Sequence, residues 1–359
     1  MPSLALLKIF IPAIASFALG IIGAPALTDF LYAHKTWKKQ TGKTALDGQP
    51  AVEFEKLRAT VHAGTETHTP RMGGILIWGT VAFVTLGLWA LAQLSGTPVL
   101  EKLNFLTRDQ TWIPFVTLIG GALVGLANDL LDIRAEGEKG IRLRTRILFV
   151  ALVGLGIGWW FYAKLGMVAI GIPGDGTFFV GSFIIPIFML VMIALYAGGV
   201  IDGIDGLSGG VFASIFMAYA GVAYFQDQLN LAAFSATIVG ATLAFLWFNI
   251  PPARFWMTET GTMGLTMTIA VIAFMTDTPG GGYGIAALPV IAFLLVATVL
   301  SNVLQVLSKK FRGKKLLRIA PLHHHFEAIG WPPYKVTMRY WIIAVVCAVL
   351  GMSIALLKG

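Results

Sequence analysis

The chain has 359 residues, of which 57% are hydrophobic and 12% are charged, and its mean hydropathy is +0.79. This composition excludes a soluble domain of the same length and predicts a polytopic membrane protein. The net charge of +8 excludes little until its distribution along the chain is considered, and the single cysteine, Cys347, excludes a disulfide within the chain.

Ten hydrophobic runs follow one another, each close to the roughly 20 residues that a helix needs to cross a bilayer. They cover residues 4–32, 73–94, 112–131, 146–163, 180–199, 208–225, 230–249, 261–278, 284–308 and 337–357. The first has no small-residue cleavage pattern behind it, so we expect it to be retained as a helix. Residues 167–180, which contain Pro-Gly-Asp-Gly, predict a short hairpin.

Lysine and arginine are unevenly distributed among the connecting segments. Segments 33–72, 132–146 and 309–339 carry seven, five and eight of them, whereas 226–229 and 279–283 carry none. The positive-inside rule predicts that the basic segments are cytoplasmic, and an even number of spans then leaves both termini outside. The predicted fold is a single all-α membrane domain over residues 1–359, with about ten transmembrane helices, a short periplasmic hairpin and an active site at the cytoplasmic face.

Five polar motifs lie on the side predicted to be cytoplasmic. They are HTPRMGG at 68–74, Asn128-Asp129 with Asp132, IDGIDG at 201–206, FNIPPARFWMTETG at 248–261 and PLHHHFE at 321–327. Carboxylates gathered with basic residues at a membrane surface suit a magnesium–diphosphate substrate, because Mg²⁺ takes one or two carboxylates and completes its shell with phosphate oxygens and water. Intramembrane or interfacial carboxylates are costly, which favours a functional site.

Several of these motifs have other interpretations. Asp202 and Asp205 would share one face of a helix, but the glycines between them also suit a loop or a solvated turn. Three consecutive histidines could form a zinc site, although adjacent residues cannot all face one metal from a helix. Trp256 could stack on a nucleotide base or anchor the chain at the membrane interface.

In their order and their residues, these motifs resemble those of the polyprenyl-phosphate N-acetylhexosamine 1-phosphate transferases, and the resemblance extends over nearly the whole chain. The matching stretches are PLHHHFE, HTPRMGG, IDGIDGLSGG and FLWFN-x-PPA-x-x-x-M-x-x-TG-T. The triple histidine points to the branch that acts on muramoyl-pentapeptide substrates. The resemblance implies a bacterial inner-membrane enzyme that uses UDP-N-acetylmuramoyl-pentapeptide, undecaprenyl phosphate and Mg²⁺, forms a homodimer, and has no nucleic-acid partner.

The resemblance also implies roles for individual residues. Glu259 is expected to hold magnesium, and Asp129 to share the metal or orient the prenyl phosphate. Asp202 and Asp205 are expected on the nucleotide side, and Trp256 against uracil. His324 and His325 are expected at the phosphate or sugar-peptide end. The residues expected to be catalytic are Asp129, Asp202, Asp205 and His324. The remaining substrate-binding positions implied by the resemblance are Gly199, Asn249, His323 and Arg71.

The chain departs from the family pattern at six positions. The family has the first aspartate of a pair, a lysine, a metal-binding aspartate, a phenylalanine, an asparagine and a threonine where this chain has Asn128, Asp132, Glu259, Trp256, Gly199 and Arg71. Glu259 keeps a carboxylate and Trp256 keeps a stacking face. Asn128 cannot act as a base, but a lipid phosphate is already largely ionised near neutral pH, so a divergent active enzyme is expected.

Three other functions remain open from the sequence. A related transferase could use a different UDP-N-acetylhexosamine, although PLHHHFE argues against it. A transporter or flippase would place charged residues and broken helices near mid-membrane, whereas the acidic residues here gather at one face. A catalytically dead scaffold is motivated by Asn128.

Overall fold

A computed structural model describes residues 2–37, 68–134, 140–174 and 176–357 of the chain. Most of the first basic segment and part of the second, at 38–67 and 135–139, lie outside the described residues, as do residue 175 of the predicted hairpin and the C-terminal residues 358–359. Two of the three basic segments, 33–72 and 132–146, are therefore described only in part.

The described chain is almost entirely helical. Its α-helices are α1 (Pro2–Ala33), α2 (Gly74–Ser95), α3 (Pro98–Leu103), α4 (Trp112–Arg134), α5 (Leu143–Leu165), α6 (Ile184–Gly198), α7 (Leu207–Phe225), α8 (Leu229–Asn249), α9 (Thr258–Met275), α10 (Gly284–Ile291), α11 (Phe293–Arg312), α12 (Leu322–Ala328) and α13 (Pro333–Ala355). Short 3₁₀ turns cover Gly181–Phe183, Gly199–Ile201 and Thr278–Gly280. The two strands are β1 (Ala169–Ile172) and β2 (Gly176–Phe179).

Nine helices in the described ranges are long and apolar enough to cross a membrane. They correspond to every predicted span except the eighth, and the fold class of a polytopic all-α membrane protein is confirmed. The eighth span corresponds to α9, which is 18 residues long and rich in threonine. Helix α9 does not need a lipid-facing apolar surface, because every residue from Thr260 to Met275 is buried.

Helix α9 is the centre about which the other helices pack. It contacts α4 most extensively, and also α2 and α6, while α1 and α7 pack on α8. Glycines permit this close packing, which is how helices associate in membranes. A Cβ on Gly125 of α4 would collide with the backbone carbonyl of Glu259, so α4 contacts the first turn of α9 directly.

Among the boundaries that differ from the sequence prediction, two concern the ninth and eighth spans. The ninth predicted span, 284–308, is divided at Ala292 into α10 and α11, with Pro289 in the last turn of α10. Proline lacks the N–H that would bond to the carbonyl of residue 285, so its effect falls on the preceding turn rather than at Ala292. The eighth begins three residues earlier than predicted, at Thr258. Glu259 therefore lies in the first turn of a helix, where the sequence analysis had placed a loop.

The predicted hairpin lies beside the C-terminal end of α9, which we call the outer end of α9; the N-terminal end of α9 is called its inner end. Strands β1 and β2 are antiparallel, with Ala169 opposite Phe179 and Ile172 opposite Gly176. Asp277, just beyond α9, accepts hydrogen bonds from the backbone nitrogens of Gly171 at 2.8 Å and Ile285 at 2.9 Å. One carboxylate thus fastens the hairpin to the start of α10.

Candidate active site

The first and fourth motifs meet through their backbones. The nitrogen of Gly73 donates to the Trp256 carbonyl at 2.7 Å, and the nitrogen of Trp256 donates to the Pro70 carbonyl at 2.9 Å. The nitrogen of Met72 donates to Oγ1 of Thr258 at 3.1 Å. Met72 and Thr258 both have positive φ, of 69° and 55°, which is uncommon outside glycine. Two chain segments are thereby held in a fixed register beside α9.

Asp129 lies fully buried where α4 meets α9. Its Oδ2 accepts hydrogen bonds from Oγ1 of Thr258 at 2.5 Å, and from the nitrogen and Oγ1 of Thr260 at 2.9 and 2.6 Å. Its Oδ1 accepts from Nη2 of Arg71 at 3.1 Å, and the same Nη2 lies 3.4 Å from Oδ2 of Asp132. Asp129 therefore ties the first, second and fourth motifs together.

Glu259 points from the same turn of α9 towards Arg146 of α5. The Nη1 of Arg146 donates to Oε1 of Glu259, and the two side chains are 18% and 27% exposed. Neither Oε2 of Glu259 nor Nε of Arg146 has a hydrogen-bond partner, although both atoms are buried. Unpaired buried polar atoms cost free energy and suggest a ligand site.

Asp202 and Asp205 follow the 3₁₀ turn after α6 and point to different neighbours. Oδ1 of Asp202 accepts from Ser208 at 2.6 Å, and its Oδ2 accepts from the nitrogen of Thr258 at 2.8 Å. Burial raises the pKa of Asp202, and the two donors act in the opposite direction. The third motif is thus joined to the first turn of α9.

Asp205 orients Trp256. The Nε1 of Trp256 donates to Oδ1 of Asp205 at 3.0 Å, while Oδ2 of Asp205 accepts from the nitrogen of Ala253 at 3.0 Å. The half-buried indole ring is therefore fixed by its polar edge. This hydrogen bond leaves both sequence interpretations of Trp256 open, because either a base-stacking ring or an interface anchor can be held by one edge.

Two of the three histidines converge on the aspartate loop. A Cβ on Gly203 would lie 2.7 Å from Nε2 of both His323 and His324, so only glycine leaves room for the rings. Nδ1 of His324 lies 2.7 Å from Oε2 of Glu327. His325 turns towards Arg318, whose nitrogen donates to its Nδ1 at 3.2 Å. Burial and, to a smaller extent, Arg318 lower the pKa of His325.

Two further candidate positions make contacts within the protein. Asn249 accepts from the nitrogen of Gly206 at 3.0 Å and donates to the Phe255 carbonyl at 2.9 Å. Gly199 packs on α9, where an added Cβ would lie 3.3 Å from Thr262. Their role towards a substrate stays a prediction. Asn128, where the chain departs from the family pattern, accepts from the nitrogen of Ile141 at 2.9 Å.

The structure also identifies residues that the sequence analysis did not assign. In the sequence analysis, Arg146 had no role beyond that of a basic residue in a connecting segment, and Glu327 had no role beyond its place in PLHHHFE. The spacing of three between His324 and Glu327 is the usual helical one for a side-chain pair and was a usable signal. Thr258 and Thr260 gave no such signal, because their partner Asp129 is distant in sequence. Ser208 lies six residues from its partner Asp202, which is not a helical spacing.

The residues present fit a magnesium ion that shares its ligands with a substrate. Oε2 of Glu259 is a buried carboxylate oxygen without a partner, the kind of ligand that Mg²⁺ prefers. Within the described ranges, no three His, Cys, Asp or Glu side chains are grouped to hold a metal by themselves. Because Mg²⁺ commonly takes few carboxylates and several phosphate oxygens, Glu259 would hold it only together with a phosphorylated ligand.

Comparison with known proteins gives one family match and several close relatives. Residues 111–277 match the family described as glycosyl transferase family 4. A "Phospho-N-acetylmuramoyl-pentapeptide-transferase" from Geobacillus sp. (strain WCH70) is 33% identical over 293 residues, which are 80% of this chain and 84% of the relative. Relatives of the same name from Bacillus velezensis and Anoxybacillus flavithermus are 30% and 31% identical, covering 95% and 80% of this chain and 96% and 83% of their own lengths.

Proposed function

Because the chain belongs to the phospho-N-acetylmuramoyl-pentapeptide-transferase family, we propose that it transfers phospho-N-acetylmuramoyl-pentapeptide from UDP to undecaprenyl phosphate. The products are UMP and the first lipid-linked precursor of peptidoglycan. The observation that carries this function is the convergence of five motifs, spread over more than 250 residues of sequence, at one end of α9.

The reaction is a phosphoryl transfer between two bound substrates. An oxygen of the lipid phosphate attacks the β-phosphorus of the UDP-sugar, a new P–O bond forms, and the bond to the UMP oxygen breaks. No covalent enzyme intermediate is needed. Catalysis of this kind depends mainly on positioning and on neutralising phosphate charge.

The charges of the site support a divalent cation. Apart from the His324–Glu327 pair, the ion pairs and hydrogen bonds of the site involve five carboxylates and two guanidinium groups. The carboxylates are Asp129, Asp132, Asp202, Asp205 and Glu259, and the guanidinium groups are Arg71 and Arg146. A diphosphate would be repelled by this excess of negative charge. We propose that Mg²⁺, held at Glu259 and shared with the diphosphate, supplies charge stabilisation at the reacting phosphates.

Individual residues of the site have distinct proposed roles. Asp129 keeps the first turn of α9 and Arg71 in place, and it is the second candidate metal ligand. Asp202 and Asp205 hold the nucleotide side, where Asp205 fixes the ring on which uracil would stack, Trp256. His324, held by Glu327, faces the phosphate or sugar-peptide end together with His323.

Release of UMP tests this function directly. The purified protein should release UMP from UDP-N-acetylmuramoyl-pentapeptide only when undecaprenyl phosphate and Mg²⁺ are present. Equal release from UDP-N-acetylglucosamine would indicate a related transferase instead. Absence of release with intact substrate binding would indicate a scaffold, and lipid or substrate movement without release would indicate a transporter.

The multi-pass protein is proposed to lie in the bacterial inner membrane, as a homodimer, with the site in the cytoplasm and both termini outside. In a Cys347→Ser background, a Gly359→Cys variant should react with an impermeant thiol reagent in intact cells, and a Gly313→Cys variant should be protected. The reverse pattern would invert the topology. Light scattering of the detergent complex measures the oligomeric state.

A further inference from the structure

The segment at the end of α11 carries the densest positive charge of the chain. Residues 309–318 read KKFRGKKLLR and contain six basic residues, whereas residues 278–326 contain no Asp or Glu. No carboxylate close in sequence therefore neutralises these charges. We call residues 309–318 the basic turn.

The basic turn is folded back on α11 by hydrogen bonds. The buried side chain of Gln305 accepts from the nitrogens of Leu316 and Leu317 at 3.0 and 2.9 Å, and it donates to the Leu317 carbonyl at 3.0 Å. The hydroxyl of Ser308 donates to the Lys314 carbonyl at 2.9 Å. The basic side chains are therefore gathered at one helix end instead of being spread along an extended segment.

Apolar side chains lie between the charges of the basic turn. Lys310, Arg312 and Lys314 are exposed, and Phe311 and Leu316 are 75% and 52% exposed. Exposed phenylalanine and leucine interleaved with lysine and arginine are typical of segments that lie in a membrane interface, where charged groups meet phosphates and apolar groups meet acyl chains. A surface surrounded only by water has no use for the apolar members.

The basic turn begins where a lipid-facing helix ends. Helix α11 is long and apolar enough to cross a membrane, and its turns before residue 309 expose large apolar side chains. These are Leu300, Val303, Leu304, Val306 and Leu307. Because the exposed apolar side chains of a membrane helix face hydrocarbon, the charges that follow them directly fall at the depth of the lipid headgroups.

The last residue of the basic turn connects it to α12. Nη1 of Arg318 donates to the Ala328 carbonyl at 3.1 Å, and the nitrogen of Arg318 donates to Nδ1 of His325 at 3.2 Å. Since two histidines of α12 reach Gly203 of the aspartate loop, the basic turn lies at the same end of the bundle as the candidate active site. Headgroups bound there would belong to the leaflet on that side.

We propose that the basic turn binds the headgroups of anionic phospholipids in the surrounding bilayer. Lys310, Arg312 and Lys314 contact the phosphates, and Phe311 and Leu316 lie beside them against the upper acyl chains. Clusters of four to eight basic residues directly after a membrane helix attract anionic lipids in this way. The contact is electrostatic, and no bond is made or broken. This binding goes beyond the transferase function and does not depend on it.

Competition between two phospholipids tests the proposal. The full-length protein in a neutral detergent is titrated with phosphatidylglycerol, which is anionic, and with phosphatidylcholine, which has no net charge, and native mass spectrometry measures the lipids bound. The parent should bind phosphatidylglycerol more tightly. Combining Lys310→Gln, Arg312→Gln and Lys314→Gln should weaken that binding by at least about tenfold, since each basic residue near an anionic surface contributes about fivefold.

The matched control removes three charges from exposed positions outside the basic turn. It combines Lys102→Gln, Arg108→Gln and Lys164→Gln, and it should bind phosphatidylglycerol as the parent does. Thermal unfolding is recorded for both triple variants. For the parent alone, about 1 M NaCl should abolish the preference for phosphatidylglycerol, because salt screens exposed charges.

Three results would overturn the proposal. The first is equal affinity of the parent for the two phospholipids, and the second is a basic-turn variant that binds phosphatidylglycerol as tightly as the control does. The third is unchanged phospholipid binding together with weaker binding of the UDP-substrate, which would mean that the basic turn attracts the soluble substrate. Because the lipid titrations contain no substrate, their outcome is independent of whether the protein is active as a transferase.

Discussion

A carboxylate lies at each end of α9, and the two are held in different ways. At the outer end, both oxygens of Asp277 accept hydrogen bonds from backbone nitrogens, at 2.8 and 2.9 Å. At the inner end, Glu259 pairs with the side chain of Arg146 through one oxygen, and its other oxygen has no partner. The first carboxylate completes its contacts within the fold, and the second does not.

This difference separates a carboxylate that stabilises the fold from a carboxylate that is available to a ligand. A buried carboxylate without a partner is unfavourable for stability, so a protein keeps it where a ligand completes the contacts. Backbone nitrogens cannot move away from Asp277, whereas the Arg146 side chain can change rotamer. Chain position alone does not distinguish the two residues, because each lies close to one end of the same helix.

The largest expected effect is loss of turnover at the inner end. Glu259→Gln should lower kcat by about a thousandfold or more at any Mg²⁺ concentration, because the charge that holds the metal is removed. Glu259→Asp should recover part of the activity. The thermal unfolding temperature of both variants should stay near that of the parent. Full activity of Glu259→Gln would shift the proposed metal site to Asp129, Asp202 and Asp205.

The outer end should respond in the opposite way. Asp277→Asn places an amide nitrogen against a backbone N–H, and the lost hydrogen bond should lower the free energy of unfolding by about 1–3 kcal/mol. The kcat of the folded protein should change by less than about twofold. Asp227→Asn, at an exposed residue of the same end, is the control and should change neither quantity. A large fall in kcat for Asp277→Asn with unchanged unfolding would contradict the comparison.

The sequence predicted the fold more fully than the site. Hydrophobic runs of about 20 residues and the Pro-Gly-Asp-Gly hairpin gave the helices and strands directly, because length and polarity determine what can cross a bilayer. The break at Ala292 and the early start of α9 were missed. Local hydropathy does not give the residue at which a helix begins or ends.

The site was predicted as a set of motifs rather than as contacts. The proximity of Asp129, Asp202 and Glu259 was expected, but their direct partners were not. Arg146 lies 113 residues from Glu259, and Thr258 lies 129 residues from Asp129. The close approach of α4 to α9 at Gly125 brings Thr258 to Asp129.

Aromatic residues give a smaller contrast between the two ends. Trp256 is fixed by Asp205 at the inner end, and Trp112 is 40% exposed at the outer start of α4. Trp256→Ala should weaken binding of the UDP-substrate by about tenfold, because stacking on a base contributes roughly 1–3 kcal/mol. Trp256→Phe should keep most of the affinity, and Trp112→Ala should keep all of it. Calorimetric titration measures the affinity of each variant for the UDP-substrate. Equal affinity in all three variants would indicate that Trp256 is an interface anchor.

The smallest effect is expected at Asn128, where the inner end lacks a carboxylate that the family pattern contains. Asn128 is buried, and its Oδ1 accepts from the nitrogen of Ile141. Asn128→Asp keeps that acceptor and adds a negative charge next to Asp129, where the Arg71 guanidinium group can offset part of it. Since the lipid phosphate is already ionised, an added base would have no proton to remove, and kcat should change by less than about tenfold.

Asn128→Ala is the matched variant, because it removes the hydrogen bond without adding charge. It should lower stability by about 1 kcal/mol and leave the pH dependence of kcat unaltered. A gain of several hundredfold in Asn128→Asp would mean that the parent enzyme lacks a base it needs, and that the inner end of α9 is incomplete rather than differently built.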